Sequence, residues 1–256
     1  MLIKPLELTA LSWQFYIKNW RKLWIYLLLL LIPVLVITAV GIIMHFARTS
    51  IISLPVINFL IIASTLVAAA IFTLWITIAL TKTIKNIYKQ EPVKEWKENI
   101  SLNSKYIWPT IITSVMTTLL VVIGTILFII PGIIFFIWYL FVFYTVVLDD
   151  KKGIDALKNS KLLVVGRWWQ ILWTILVPTV IYGVAVSVIM SIVELPIILI
   201  QGEIAKAAIN QVVIAVINLL TTTPLMTIAM VALYFSAKEN KLGQNAETPP
   251  SQTIDS

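Results

Sequence analysis

The sequence predicts an all-α, polytopic membrane protein: six transmembrane helices arranged as three hairpins, with cytoplasmic interfacial helices before them. Three observations carry this expectation. Apolar residues make up 60% of the 256-residue chain and charged residues 12%, with a mean hydropathy of +0.97, whereas a soluble domain is about 25% charged. The stretch from Ile107 to Leu148 is apolar and carries no charge. As one helix, at ~1.5 Å per residue, it would be about 63 Å long, twice the ~30 Å thickness of a hydrocarbon core. Finally, lysine and arginine gather in alternate connections, as they do on the cytoplasmic side of multi-pass proteins.

Spans are expected near 23–46, 55–81, 107–130, 132–148, 168–193 and 207–235, each long enough to cross. The first follows some twenty polar and amphipathic residues and is too long for the apolar core of a signal peptide, so no cleaved leader is expected. Pro131 and Gly132 divide the long apolar run and are read as its structural hairpin. Proline suits the first turn of a helix, where its missing N–H costs nothing, and glycine tolerates the positive φ of a tight turn. Residues 1–236 thus form a single six-helix domain. The remainder, 237–256, is polar and rich in Pro, Gln and Ser, and reads as a disordered cytoplasmic tail.

Orientation follows from charge. Seventeen lysines and arginines fall on one side of this arrangement and two, Arg48 and Lys206, on the other. That asymmetry places both termini of a multi-pass protein in the cytoplasm. It also supports the Pro-Gly hairpin, because a single crossing by residues 107–148 would move every later loop to the opposite side.

The connections hold surface elements. In residues 5–24, Leu6, Ala10, Trp13, Ile17, Trp20 and Trp24 share one helical stripe beside Glu7, Gln14, Lys18 and Arg21, the pattern of a helix lying among headgroups before bending into span one. Residues 154–165 repeat the pattern before span five, and 84–105 form a third element interrupted by Pro92. An internal echo accompanies them: Ser12 precedes Trp20, and Ser160 precedes Trp168, by the same eight positions, each before a span containing a proline, Pro33 or Pro178. Ancestral duplication and the ordinary chemistry of a membrane interface both explain it.

The block IIPGIIFFIWYLFVFYTVVLDDKKGIDALKNSKLLVVGRWWQIL carries Pro131-Gly132, an aromatic span, Asp149-Asp150, Gly153, Ala156-Leu157 with Ser160, and Gly166-Arg167-Trp168. This block resembles the membrane domain of glycerophosphoryl diester phosphodiesterase and the YciC-like bacterial membrane proteins. The resemblance implies a six-helix inner-membrane bundle. It implies no activity, since phosphodiesterase chemistry there belongs to a separate soluble barrel for which this chain has no room.

The residues themselves argue against catalysis. Phosphodiester hydrolysis needs acid–base groups or a metal held by histidines and carboxylates. The chain has one histidine, His45, read as an interfacial residue, and no cysteine. No P-loop and no nucleophile elbow occur. No catalytic residue, metal or cofactor is therefore expected.

The spans hold neutral polar residues where a coupled pump would hold ionisable ones. Thr110, Thr113 and Thr117 form one stripe; Gln211, Asn218 and Thr222 form a second, before Pro224. These are either interhelical hydrogen-bond glue or a polar groove for a headgroup or uncharged solute. Gly183, Ser187 and Ser191 permit close helix packing. The basic and aromatic rim of Arg21, Lys22, Arg167, Trp168 and Trp169 suits anchoring or an anionic headgroup. Asp149 either faces water beside Lys151 and Lys152 or holds a cation such as Arg167. Span four adds seven aromatics between Phe135 and Tyr144, a rigid face for acyl chains or a neighbouring helix.

The expectation is a non-enzymatic protein that binds or organises membrane lipid, with anionic headgroups on the cytoplasmic side, or that supports envelope proteins through a membrane-protein partner. The alternative is a permease-like carrier of a small or lipid-like solute. Nucleic acid fits poorly, because the lysines are spread over membrane-adjacent segments.

Overall fold

The computed structural model describes residues 2–47, 55–198 and 200–247. Arg48, one of the two basic residues expected on the outer side, lies outside them. The described residues form ten α-helices and no strand: α1 (Pro5–Ala47), α2 (Pro55–Tyr88), α3 (Trp96–Asn103), α4 (Ile107–Leu127), α5 (Ile129–Trp138), α6 (Val142–Asp149), α7 (Gly153–Val164), α8 (Trp168–Ile197), α9 (Glu203–Leu220) and α10 (Thr222–Glu247), with a 3₁₀ turn at Ser104–Tyr106 before α4. Among the described residues, six segments are long and apolar enough to cross a membrane: Pro5–Phe46, Pro55–Tyr88, Trp96–Leu127, Ile129–Asp149, Trp168–Ile197 and Glu203–Lys241.

The first segment differs from the expected surface helix that bends into a span. It is one helix of 43 residues with Pro33 inside it. No glycine or proline occurs between Leu6 and Ile32, so nothing there interrupts the i→i−4 hydrogen bonds. The predicted stripe exists and points outward: Leu6, Trp13, Ile17, Trp20 and Trp24 are exposed, while Leu8, Ser12, Leu23, Tyr26 and Leu27 are buried.

The core is built around α10. Ile228, Ala229 and residues 231–235 are buried and pack with Leu23 and Tyr26 of α1, Leu80 and Ile84 of α2, and Phe141 and Tyr144 of α6. Rings interlock there: Tyr88 stacks on Phe235 with centroids 5.7 Å apart, and Phe141 meets Tyr234 edge-on at 5.7 Å. Between apolar helices in lipid, such contacts and hydrogen bonds hold the pairs together, because lipid chains are as apolar as leucine. The amide of Ile3 donates to Ser236 Oγ at 3.0 Å and the Tyr16 hydroxyl to Leu220 O at 2.8 Å, so α1 runs antiparallel to α10.

A polar cluster joins α1, α2 and α3. The Asn99 amide donates to Tyr26 Oη (2.8 Å), Ala79 O (2.9 Å) and Thr83 Oγ1 (2.9 Å), and Thr83 Oγ1 donates to Tyr26 Oη at 2.9 Å. Asn103 closes the cluster by donating to Asn99 Oδ1 at 2.7 Å. Asn99, Thr83 and Tyr26 are all buried, so each polar atom depends on the others for its partner.

The fold-back between α4 and α5 corrects the Pro131-Gly132 turn. The chain pivots at Phe128, whose backbone is extended (φ −160°, ψ 146°), and Pro131 and Gly132 lie in the first turn of α5. Proline is tolerated there because first-turn amides lack intrahelical acceptors. Glycine is needed for closeness, not for positive φ: a Cβ on Gly132 would lie 2.2 Å from Thr125 Oγ1 and 2.8 Å from Thr125 Cα, and one on Gly124 would lie 2.6 Å from the Phe135 ring.

Two further interruptions differ from the expected continuous spans. Span four is divided at residues 139–141, and span six at Thr221. Ser160 of α7 closes the first. Its hydroxyl donates to Trp138 O at 2.8 Å and accepts from the Phe141 amide at 3.1 Å. The last helix runs to Glu247, so residues 237–247 are helical where a disordered tail was expected; 248–256 lie outside the described residues. Its polar turns are held by partners: Lys238 bonds Asp149, Lys241 donates to Leu162 O and Glu239 accepts from Lys89.

Two predictions follow from this packing. Gly132→Ala should lower the thermal midpoint in detergent by an amount equivalent to roughly 1–3 kcal/mol, the cost of overpacking. Gly183→Ala, whose Cβ meets nothing within 4 Å, should leave the midpoint unchanged or raise it; equal losses would mean that the α4–α5 contact is not this close. Ser160→Ala should cost about 1–3 kcal/mol, because it strips partners from two backbone groups at once, and Ser160→Thr should recover part of that.

Candidate functional site

The expected rim residues do not form one site. Arg21 and Lys22 are exposed on α1, with the Arg21 guanidinium 6.0 Å from the Trp20 ring centre. Asp149 does not hold Arg167. Both its oxygens accept from Lys238 Nζ at 2.7 Å, because α6 ends against the polar part of α10. Asp150, in a left-handed conformation (φ 58°), accepts from the Tyr106 hydroxyl, to which Lys82 donates at 3.2 Å. These bonds tie α2 and α10 to the start of α4 and the end of α6.

Arg167 is the rim residue with a distinct environment. It precedes α8, and its Nη2 donates to Leu163 O at 3.0 Å and Ala237 O at 3.2 Å. Its Nη1 is buried without a hydrogen-bond partner, and desolvation pushes the guanidinium pKa down from its ordinary value. Trp168 and Trp169 follow in the first turn of α8, both exposed. Trp169 meets Trp173 edge-on, with ring centroids 5.7 Å apart.

Arg167 and Trp169 border a cleft of about 1100 Å³ that also presents Lys4, Gln170, Trp173 and Glu239. Its walls are the N-terminal segment, tied down by the Ile3–Ser236 bond, the start of α8 and the polar end of α10. Arg21, Lys22, Asp149 and Trp168 are not among its lining residues. The first turn of α8 has no side-chain cap, so its amides add partial positive charge at the cleft edge. Lys4, Gln170, Trp173 and Glu239 escaped the sequence reading because they lie on three distant segments and form no spacing motif.

The neutral stripes are used differently. Asn218 donates to Ile214 O of its own helix at 2.9 Å. The break at Thr221 separates Gln211 and Asn218 from Thr222, so the regular stripe does not continue. Thr113, fully buried, donates to Pro109 O at 2.7 Å and accepts from the Gly153 amide at 3.0 Å, joining α4 to α7. Ser187 and Ser191 bond their own helix and Gly183 meets no neighbour, so this stripe makes no close helix contact within the described residues. His45 is exposed, its ring edge-on to Phe46 at 5.8 Å. Among the described residues, no group of three or more histidines and carboxylates could hold a metal.

The Asp149–Lys238 pair is testable by a double-mutant cycle. With Asp149 only 13% exposed, the coupling energy from thermal unfolding should reach about 1 kcal/mol, against roughly 0.3–0.5 for the exposed Lys94–Glu98 pair on α3 and its approach.

Comparison with known proteins gives one family match, over residues 106–237. It begins at Tyr106, the donor to Asp150, and ends at Ala237, the carbonyl that receives Arg167. No curated protein and no solved structure matches the chain. Since the match spans half of the chain, the protein belongs to the family described as domain of unknown function DUF7847.

Proposed function

We propose that this chain is a non-enzymatic, multi-pass protein of the cytoplasmic membrane, with both termini cytoplasmic, that binds or organises phospholipid at its basic end. The cleft between the N-terminal segment, α8 and α10 is the observation that carries this reading. A headgroup phosphate there meets Lys4, the Arg167 guanidinium and the uncapped amides of α8, while Trp169 and Trp173 offer amphipathic rings to the glycerol region. Each basic residue near an anionic surface adds about 1 kcal/mol. Arg21, Lys22 and Trp168 then serve as anchors outside the cleft.

The resemblance to the phosphodiesterase membrane domain and to YciC-like proteins agrees with a membrane role without catalysis, and a membrane-protein partner is compatible with the outward apolar faces. Solute passage along Gln211, Asn218 and Thr222 has less support, because the helix break interrupts that stripe.

Native mass spectrometry of gently extracted protein tests the reading, comparing wild type with Lys4→Glu, Trp173→Ala and Trp168→Ala. Wild type and Trp168→Ala should retain one phospholipid class above its share of the membrane, and the two cleft variants should lose it. Bulk-composition lipid on all four proteins would refute the site.

A further inference from the structure

We infer that the α4–α5 hairpin never surfaces on the far side of the membrane: its tip, centred on Phe128, ends in hydrocarbon and is covered by lipid chains. The inference rests on the membrane-spanning reading of the chain, but not on lipid retention in the cleft. Ile126, Leu127, Phe128, Ile129 and Ile130 are 78%, 64%, 74%, 72% and 71% exposed, and all five are apolar. No charged residue occurs between Lys105 and Asp149. The nearest hydroxyl, on Thr125, is turned back to Val121 O at 2.8 Å. A water-facing turn of this composition would expose a contiguous apolar patch with no polar group to offset it.

The other two far-side connections are built differently. The end of α8, the start of α9 and the connection between them carry Glu194, Gln201, Glu203 and Lys206, and the sequence between α1 and α2 carries Arg48, Thr49, Ser50 and Ser53. The charged hairpin base is fixed at one level, because Tyr106 at the start of α4 bonds Asp150 at the end of α6. From that base, the 21 residues of α4 reach about 31 Å at ~1.5 Å per residue. This is about the ~30 Å thickness of a hydrocarbon core, so the ~20° tilt usual for spanning helices leaves the tip at or short of the far interface.

Part of the turn's backbone is satisfied internally. The Phe128 amide bonds Gly124 O at 3.1 Å, Phe128 O accepts from the Gly132 amide at 3.3 Å, and Pro131 has no N–H to satisfy. Lipid, rather than a protein partner, is the occupant because exposure surrounds the tip and continues down both arms, through Leu119, Val122 and Ile123 on α4 and Ile133 and Phe136 on α5. One flat protein interface would cover a single side.

The chain contains no cysteine, so single-cysteine variants report position directly. In sealed proteoliposomes of uniform orientation, a membrane-impermeant maleimide should modify Lys152→Cys from one side and Gln201→Cys from the other. It should modify Phe128→Cys from neither side until detergent and denaturant are added. Reaction of Phe128→Cys from the Gln201→Cys side at a comparable rate overturns the inference. A nitroxide on the Phe128→Cys variant should collide frequently with oxygen and rarely with a water-soluble nickel chelate. Low collision rates with both would place a protein partner over the tip and equally overturn it. Neither readout depends on which lipid the cleft retains.

Discussion

A chain surrounded by apolar material has no water to satisfy its backbone, so every peptide N–H and C=O within it needs an internal partner. On the membrane-spanning reading proposed above, this requirement organises the structure. The apolar segments are interrupted at Phe128, at residues 139–141 and at Thr221, and each interruption has its own remedy. The first folds the chain back on itself with backbone hydrogen bonds and a proline. The second is closed by the Ser160 hydroxyl, which serves a carbonyl and an amide together. At the third, the Tyr16 hydroxyl caps Leu220 O. Without those side chains the breaks would leave orphan polar groups costing several kcal/mol each in hydrocarbon.

The segments that supply these partners are those whose sequence marks them as surface elements. Ser12, on the early part of α1, shares a 2.6 Å hydrogen bond with Tyr182 of α8. Asn99 of α3 binds α1 and α2 together, and Ser160 of α7 splices α5 to α6. All three side chains are buried. Each element therefore contributes at least one polar side chain to the bundle, beside the apolar residues it buries there. The same attachments shape the cleft, since Ile3–Ser236 and Arg167–Ala237 hold its walls to α10.

Much of this was legible in part. Ser160 stood out within its Ala-Leu-x-x-Ser motif and Ser12 within the internal echo, yet their partners did not. Arg167 and Trp169 were legible as a basic-aromatic pair before a span, and both reach the cleft. For Asp149 the sequence left water and a cation such as Arg167 both open, and its pairing with Lys238 depended on how α10 passes α6. Gly132 was recognised for the wrong property: a turn glycine is expected to supply positive φ, whereas this one supplies the absence of a Cβ against Thr125.

The sequence by itself determined the all-helical class and the six apolar segments, because hydropathy is a local sum that each segment carries wherever it is placed. Tertiary structure decided where the helices break, which side chains close the breaks, and which basic residues share a cleft. Those outcomes are pairings between residues far apart in the chain, such as Ser12 and Tyr182 at a separation of 170 positions. Only packed geometry brings such groups within hydrogen-bond reach, and no local property of either residue specifies its partner.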